Sequence, residues 1–150
     1  MDVLDKKILK ELQKNNRISS EELGMIVGLS ATACQRRLKK LRQSNVIRKE
    51  IAVLNGIELD NYVTVIVEVT IKQGATQNID KFKKKMLDCE QVQQCFYVTG
   101  QTDFILIITS KNMLEYEKLT KKLFFVDNNI QKFHSTVSME NVKVGLSIPI

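Results

Sequence analysis

The chain of 150 residues has no tryptophan, one proline (Pro149), one histidine (His134), six glycines and three cysteines. So few prolines and glycines exclude collagen-like and Pro/Gly-rich low-complexity chains. Cys34, Cys89 and Cys95 are odd in number and lack any CxxC spacing, which is a poor disulfide framework. They are expected as reduced, partly buried thiols of a cytosolic protein. One histidine and no CxxC pair make no metal-ligand set, and no cofactor is expected. The longest apolar run, Phe104–Ile108, is far below the ~20 residues of a membrane span. Met1–Asp5 does not read as a signal peptide. No nucleophile–base pair and no phosphate-cradling glycine loop is present, so the chain is not expected to be an enzyme. It is also too short for the common barrel enzymes of ~250 residues.

What is present is an ordinary globular composition, 43% hydrophobic and 27% charged, with a net charge of +6. That charge is uneven. Residues 1–50 hold 12 basic and 6 acidic residues, whereas residues 51–150 hold 11 of each. A basic module is therefore joined to a neutral one.

In the basic module, Leu4, Ile8, Leu9 and Leu12 recur at helical spacing and predict a helix from about Val3 to Lys14. Ser19-Ser20-Glu21-Glu22 is a capping box opening a second helix through Leu23, Ile26 and Val27. Gly28 suits the left-handed residue after that helix, and Ser30 suits the N-cap of the next. A third helix is predicted from Ala31 to about Gln43, with Cys34, Leu38 and Leu41 as its apolar stripe. Two short helices joined by a tight glycine turn, the second very basic, form a helix-turn-helix pattern. Gly24 fits a close backbone approach within it. Arg36, Arg37, Lys39, Lys40 and Arg42 have no acidic residue among them, whereas a merely solvated face mixes signs. Double-stranded DNA is the expected partner. Thr32, Gln35, Arg36 and Lys39 are expected to reach base edges, with Ser30 at the helix start. Arg37, Lys40 and Arg42 are expected on phosphates.

Ile51–Asn61 reads as a connector that begins with the strand-like run Ile51–Leu54. Beyond it, strict alternation from Tyr62 to Ile71 predicts a half-buried strand. A helix is predicted over Asn78–Asp88, with Ile79, Phe82 and Met86 inward and a largely outward lysine run. Strands are predicted over Val92–Thr99, Phe104–Ser110 and Lys132–Val142, with a helix through Leu114, Leu119 and Leu123. The order β-α-β-β-α-β is the ferredoxin-like pattern, an antiparallel sheet with helices on one side. Its uncovered face predicts a homodimer or larger oligomer.

The chain resembles the Lrp/AsnC family (leucine-responsive and asparagine-operon regulators). The resemblance is carried by Leu4-Asp5-x-x-Ile8-Leu9-x-x-Leu12-Gln13, Arg17-Ile18-Ser19, Glu22-Leu23, Val27-Gly28-Leu29-Ser30, Arg37-Leu38-x-x-Leu41 and Val46-Ile47. In the second half it is carried by Val98-Thr99-Gly100-x-x-Asp103-Phe104, Tyr116 and Leu119. Where members commonly have prolines, this chain has Ala31, Ala33 and Gly56. The resemblance implies an α+β protein. A winged helix-turn-helix-type three-helix domain (residues 1–50) is followed by a connector (51–61). A ferredoxin-like RAM (regulation of amino-acid metabolism) domain over residues 62–150 completes it. It implies a cytoplasmic, nucleoid-associated transcription regulator whose assembly or DNA affinity responds to a small effector, an amino acid. The implied assembly is a dimer, and an octamer built as a tetramer of dimers, with no membrane partner. By resemblance the effector site takes Thr99, Gly100, Thr102 and Asp103, with Ser135 and Thr136 on the last strand. The alternative is an architectural DNA-binding protein that ignores effectors.

Overall fold

The computed structural model describes residues 1–56, 58–59, 62–72 and 76–150, with the backbone alone at Thr76. It divides into two compact units, Met1–Val53 with Lys143–Ile150, and Leu54–Val142. The last eight residues, expected in the second domain, thus pack with the first unit.

The first unit holds three helices, α1 (Val3–Leu12), α2 (Ser20–Val27) and α3 (Ala31–Gln43). Each starts on a side-chain cap. Asp2 and Asp5 form a capping box on α1, Ser19 and Glu22 form one on α2, and the Ser30 hydroxyl accepts from the Ala33 amide at 3.2 Å. Such caps satisfy amides that a helix start leaves unpaired. The Ser30 cap lets α3 start at Ala31 without a proline there. Ile8, Leu23, Val27, Cys34, Leu38 and Leu41 form the core. Ile26 is exposed, because the inward stripe of this two-turn helix runs through Leu23, Gly24 and Val27. Gly24 is required by contact. A Cβ there would lie 2.4 Å from the Leu29 carbonyl oxygen, so the close neighbour is the turn itself. Among the described residues no strand lies between α3 and the second unit. The run Ile51–Leu54, read as strand-like, is exposed and joins no ladder among the described residues.

The second unit is an antiparallel sheet of β1 (Val63–Ile71), β2 (Val92–Tyr97), β3 (Phe104–Ser110) and β4 (Ile130–Val137), in the order β2-β3-β1-β4. Helices α4 (Thr76–Leu87) and α5 (Met113–Thr120) lie between the strands in sequence. Val65, Val67 and Val69 of β1 and Phe104, Leu106 and Ile108 of β3 are fully buried with Phe82 and Met86 of α4. Burial of each such side chain contributes ~1.5–3 kcal/mol. The alternate residues form the open face, where Ile66 pairs with Ile107 and Thr136, and Glu68 pairs with Ile105 and His134.

α5 runs into a π-helical turn, Lys121–Phe125. Its inward stripe is Tyr116, Thr120, Leu123 and Phe124, while Leu114 is exposed. The Tyr116 hydroxyl, 2.6 Å from Ser135 Oγ on β4, sets that rotation. Two strands end earlier than alternation predicts: β2 stops at Tyr97, before the 98–103 turn, and β4 stops at Val137.

Candidate nucleic-acid interface and effector site

The cationic surface of the first unit is built by α3. Cys34, Leu38 and Leu41 face the core. At about 100° per residue, Thr32, Gln35, Arg36 and Lys39 fall on the opposite face. All four are exposed. Lys40 and Arg42 lie roughly 80° to either side of that stripe. Side chains at the centre suit base edges, and flanking cations suit the two phosphate strands of a groove. Arg42 is also 2.9 Å from Glu50, which neutralises part of its charge.

Arg37 departs from expectation. Its Nη1 lies 2.7 Å from Asp2 Oδ2 and 2.7 Å from Asp5 Oδ1, so it clamps α3 to the capping box of α1. The sequence separations are 35 and 32 residues, beyond the reach of helix periodicity. Arg37 is therefore held in a structural ion pair, its charge met by two carboxylates. The pair holds Asp2 below the usual carboxylate range, through the Asp5 amide first and Arg37 second. Asp5 is lowered likewise, through the Asp2 amide first and then Arg37, against some burial. Arg37 is raised in turn by the two carboxylates. The buried Cys34 thiol is pushed up by desolvation, which suits a packing role.

The loop between β2 and β3 carries four of the expected effector residues. Thr99 and Gly100 are exposed. Gly100 has φ +132°, a conformation that L side chains rarely adopt, with open space where a Cβ would point. Thr102 and Asp103 are turned inward. The Thr102 hydroxyl donates to the Val69 carbonyl at 2.7 Å. The Asp103 carboxylate accepts from the Ile71 amide at 2.7 Å, and its own amide donates to Val69 at 3.0 Å. These two residues fasten the loop to the end of β1 and hold its apex in place.

Ser135 and Thr136 do not join this group. Ser135 is directed into the helix layer and bonded to Tyr116, whose hydroxyl pKa is raised by burial. Thr136 points to the open face of the sheet, in register with Ile66. Adjacent strand residues face opposite ways, so one small ligand does not touch both side chains. Along β1 they pair with Val67 and Ile66, two and three residues from Val69, whose carbonyl holds the loop.

Lysines of α4 also have local partners. Lys85 donates to the Leu123 carbonyl at 2.7 Å and lies 3.1 Å from Asp127, and Lys83 stands 4.8 Å over the Tyr97 ring. Sequence reading missed the Gln13–Ile148 contact as well, a separation of 135 residues with no local signal.

A capped three-helix unit with an outward cationic stripe, together with a four-stranded sheet unit, defines the class: a helix-turn-helix regulator with a ligand-binding domain. Residues 1–42 match the AsnC-type helix-turn-helix domain and residues 64–148 match the Lrp/AsnC ligand binding domain. The chain belongs to the Lrp/AsnC family of transcription regulators. It is 41% identical over 150 residues, all of this chain and 89% of the other, to the uncharacterized HTH-type transcriptional regulator y4tD of Sinorhizobium fredii. It is 35% identical over 143 residues, 95% of this chain and 87% of the other, to the leucine-responsive regulatory protein of Klebsiella pneumoniae. Among solved structures, the transcriptional regulator NMB0573 of Neisseria meningitidis, in complex with L-Met, superposes with a TM-score of 0.86. That match has 28% identity and covers 99% of this chain and 96% of the other. Among the described residues no helix is long and apolar enough to cross a membrane.

Proposed function

We propose that this regulator binds double-stranded DNA with sequence preference and that a small amino acid changes its assembly or its DNA affinity. The DNA reading is carried by the α3 stripe, whose exposed side chains are polar or cationic and never acidic. Gln35 and Arg36 read bases, Gln35 matching adenine and Arg36 matching guanine, with Thr32 and Lys39 beside them. Lys40 and Arg42 hold phosphates, and Ser30 presents the start of the helix. Arg37 has no part in DNA contact.

The effector reading is supported by the relative bound to L-Met and by the β2–β3 loop. Thr99 and Gly100 form the contact surface, where exposed backbone amides can meet a carboxylate. Thr102 and Asp103 act as positioning residues. Ser135 and Thr136 are not retained. The open sheet face, with Ile66, Ile105, Ile107 and Phe96, is the self-association surface of a dimer, from which an octamer is assembled as a tetramer of dimers. The protein works in the cytoplasm, associated with the nucleoid.

Selection of bound fragments from random DNA, followed by affinity measurement with each of the twenty amino acids, tests the reading. An enriched sequence whose affinity shifts with at least one amino acid supports it. Flat affinity across sequences, with a steep salt dependence and no response to amino acids, favours the architectural alternative.

A further inference from the structure

Lys143–Ile150 belongs to the first compact unit, although the chain reaches it from β4. One side chain supplies the polar anchor. Gln13, the C-cap of α1, donates from Nε2 to the Ile148 carbonyl at 2.9 Å and accepts the Ile148 amide on Oε1 at 2.6 Å. A primary amide offers a donor and an acceptor side by side, so it grips one residue's backbone as an antiparallel strand neighbour would. The chain's only proline, Pro149, directly follows. The residue before a proline is biased toward extended backbone, which presents both backbone groups of Ile148 sideways. The tail's side chains bury little: Val144, Leu146 and Ile148 are 72%, 70% and 68% exposed. A segment anchored through one side chain among the described residues, with its apolar side chains largely in water, has the low local stability of an element that opens and closes.

We infer that Lys143–Ile150 is a latch: docking of Ile148 on Gln13 holds the helix-turn-helix unit in its DNA-binding form, and release weakens DNA binding. The latch is connected at both ends. Upstream, Ser138 donates its amide to Thr64 at 2.9 Å and places its hydroxyl 3.0 Å from Asn141 Oδ1, so the chain leaves the sheet along a defined path. Downstream, Gln13 closes α1, the helix whose first turn is clamped to the recognition helix by Arg37. Ile148 therefore grips the far end of the helix that braces α3. An amino acid that displaced β4 would act through this tail. That extension rests on the effector reading above, while the latch does not.

The test uses the full-length protein and the variant Gln13→Ala. Gln13 is exposed at a helix end, so the substitution removes both bonds without opening the core. The expected results are at least threefold faster exchange of the Ile148 amide by NMR and at least threefold weaker binding to a DNA fragment selected by the wild type. The sedimentation coefficient stays unchanged. Gln13→Glu, which cannot donate to the Ile148 carbonyl, weakens binding in the same direction. Equal Ile148 exchange in wild type and Gln13→Ala, or DNA affinities within twofold, overturns the latch. An affinity loss that tracks a changed sedimentation coefficient also overturns it, in favour of a role in assembly. If no amino acid alters wild-type DNA affinity, the effector reading fails, and these measurements still decide the latch.

Discussion

Gly24→Ala makes the helix-turn-helix packing measurable, because two effects of opposite sign compete at one atom. Alanine in a helix interior is favoured over glycine by ~1 kcal/mol. Against this, the added Cβ would stand 2.4 Å from the Leu29 carbonyl oxygen and 3.5 Å from the Ala31 nitrogen. An ordinary contact needs the helix and the turn to separate by about 1 Å. The carbonyl cannot move alone, since the Gly28 and Leu29 amides both donate to the Gly24 carbonyl at 2.9 Å and close the turn onto α2. Overpacking of this kind costs ~1–3 kcal/mol, and backbone as the obstacle places it at the upper end. The net loss is about 2 kcal/mol, a fall in Tm of roughly 10 °C for a unit of this size. Thermal unfolding by far-UV circular dichroism reads it, with the exposed Met25→Ala as control, expected within ~0.5 kcal/mol of wild type. DNA binding falls in parallel, because the displaced turn carries Ser30 and the start of α3. A Gly24→Ala protein that melts a few degrees higher than wild type would refute the reasoning, since helix propensity alone gives that sign.

Lys40→Ala weakens binding to all DNA sequences alike and reduces the slope of log affinity against log salt by about one contact, whereas Arg36→Ala relaxes preference at one base pair by ~1–3 kcal/mol. Salt titrations on selected and scrambled fragments separate the two. Arg37→Ala leaves that salt slope unchanged, because its guanidinium is held by Asp2 and Asp5. It acts on acid stability instead. The folded pKa values of both carboxylates are depressed, so their contribution is present above the unfolded carboxylate range and lost as pH falls through the lower folded values. Arg37→Ala therefore flattens the fall in stability below about pH 4, as read by acid titration with circular dichroism. Thr102→Val removes the hydroxyl that donates to Val69 and lowers stability by ~0.5–1.5 kcal/mol, with weaker effector response through a loosened loop. Unchanged chemical exposure of the 98–103 loop in that variant would contradict its fastening role.

The open face of the sheet shows how far pattern alone reaches. Alternation in β1 separates Val65, Val67 and Val69 from Ile66 and Glu68, and the structure buries the first set completely. The same alternation cannot say that Glu68 stands beside His134, because strand register depends on partners far along the chain. The helix through Leu114, Leu119 and Leu123 shows the same limit: the bond between Tyr116 and Ser135 turns α5 so that Tyr116 and Thr120 face inward and Leu114 is exposed.

The sequence by itself determined the caps on Ser19 and Ser30, the left-handed Gly28, the cationic face of α3 and the alternating strands. Each follows from hydrogen bonds or periodicities that span four residues or fewer. Tertiary structure alone decided which of those chemically capable residues are already engaged. It paired Arg37 with α1, turned Asp103 and Thr102 onto β1, placed Ser135 and Thr136 on opposite faces, and brought Ile148 to Gln13. The partners that engage these groups lie 19 to 135 residues away in the chain, beyond the reach of local periodicity.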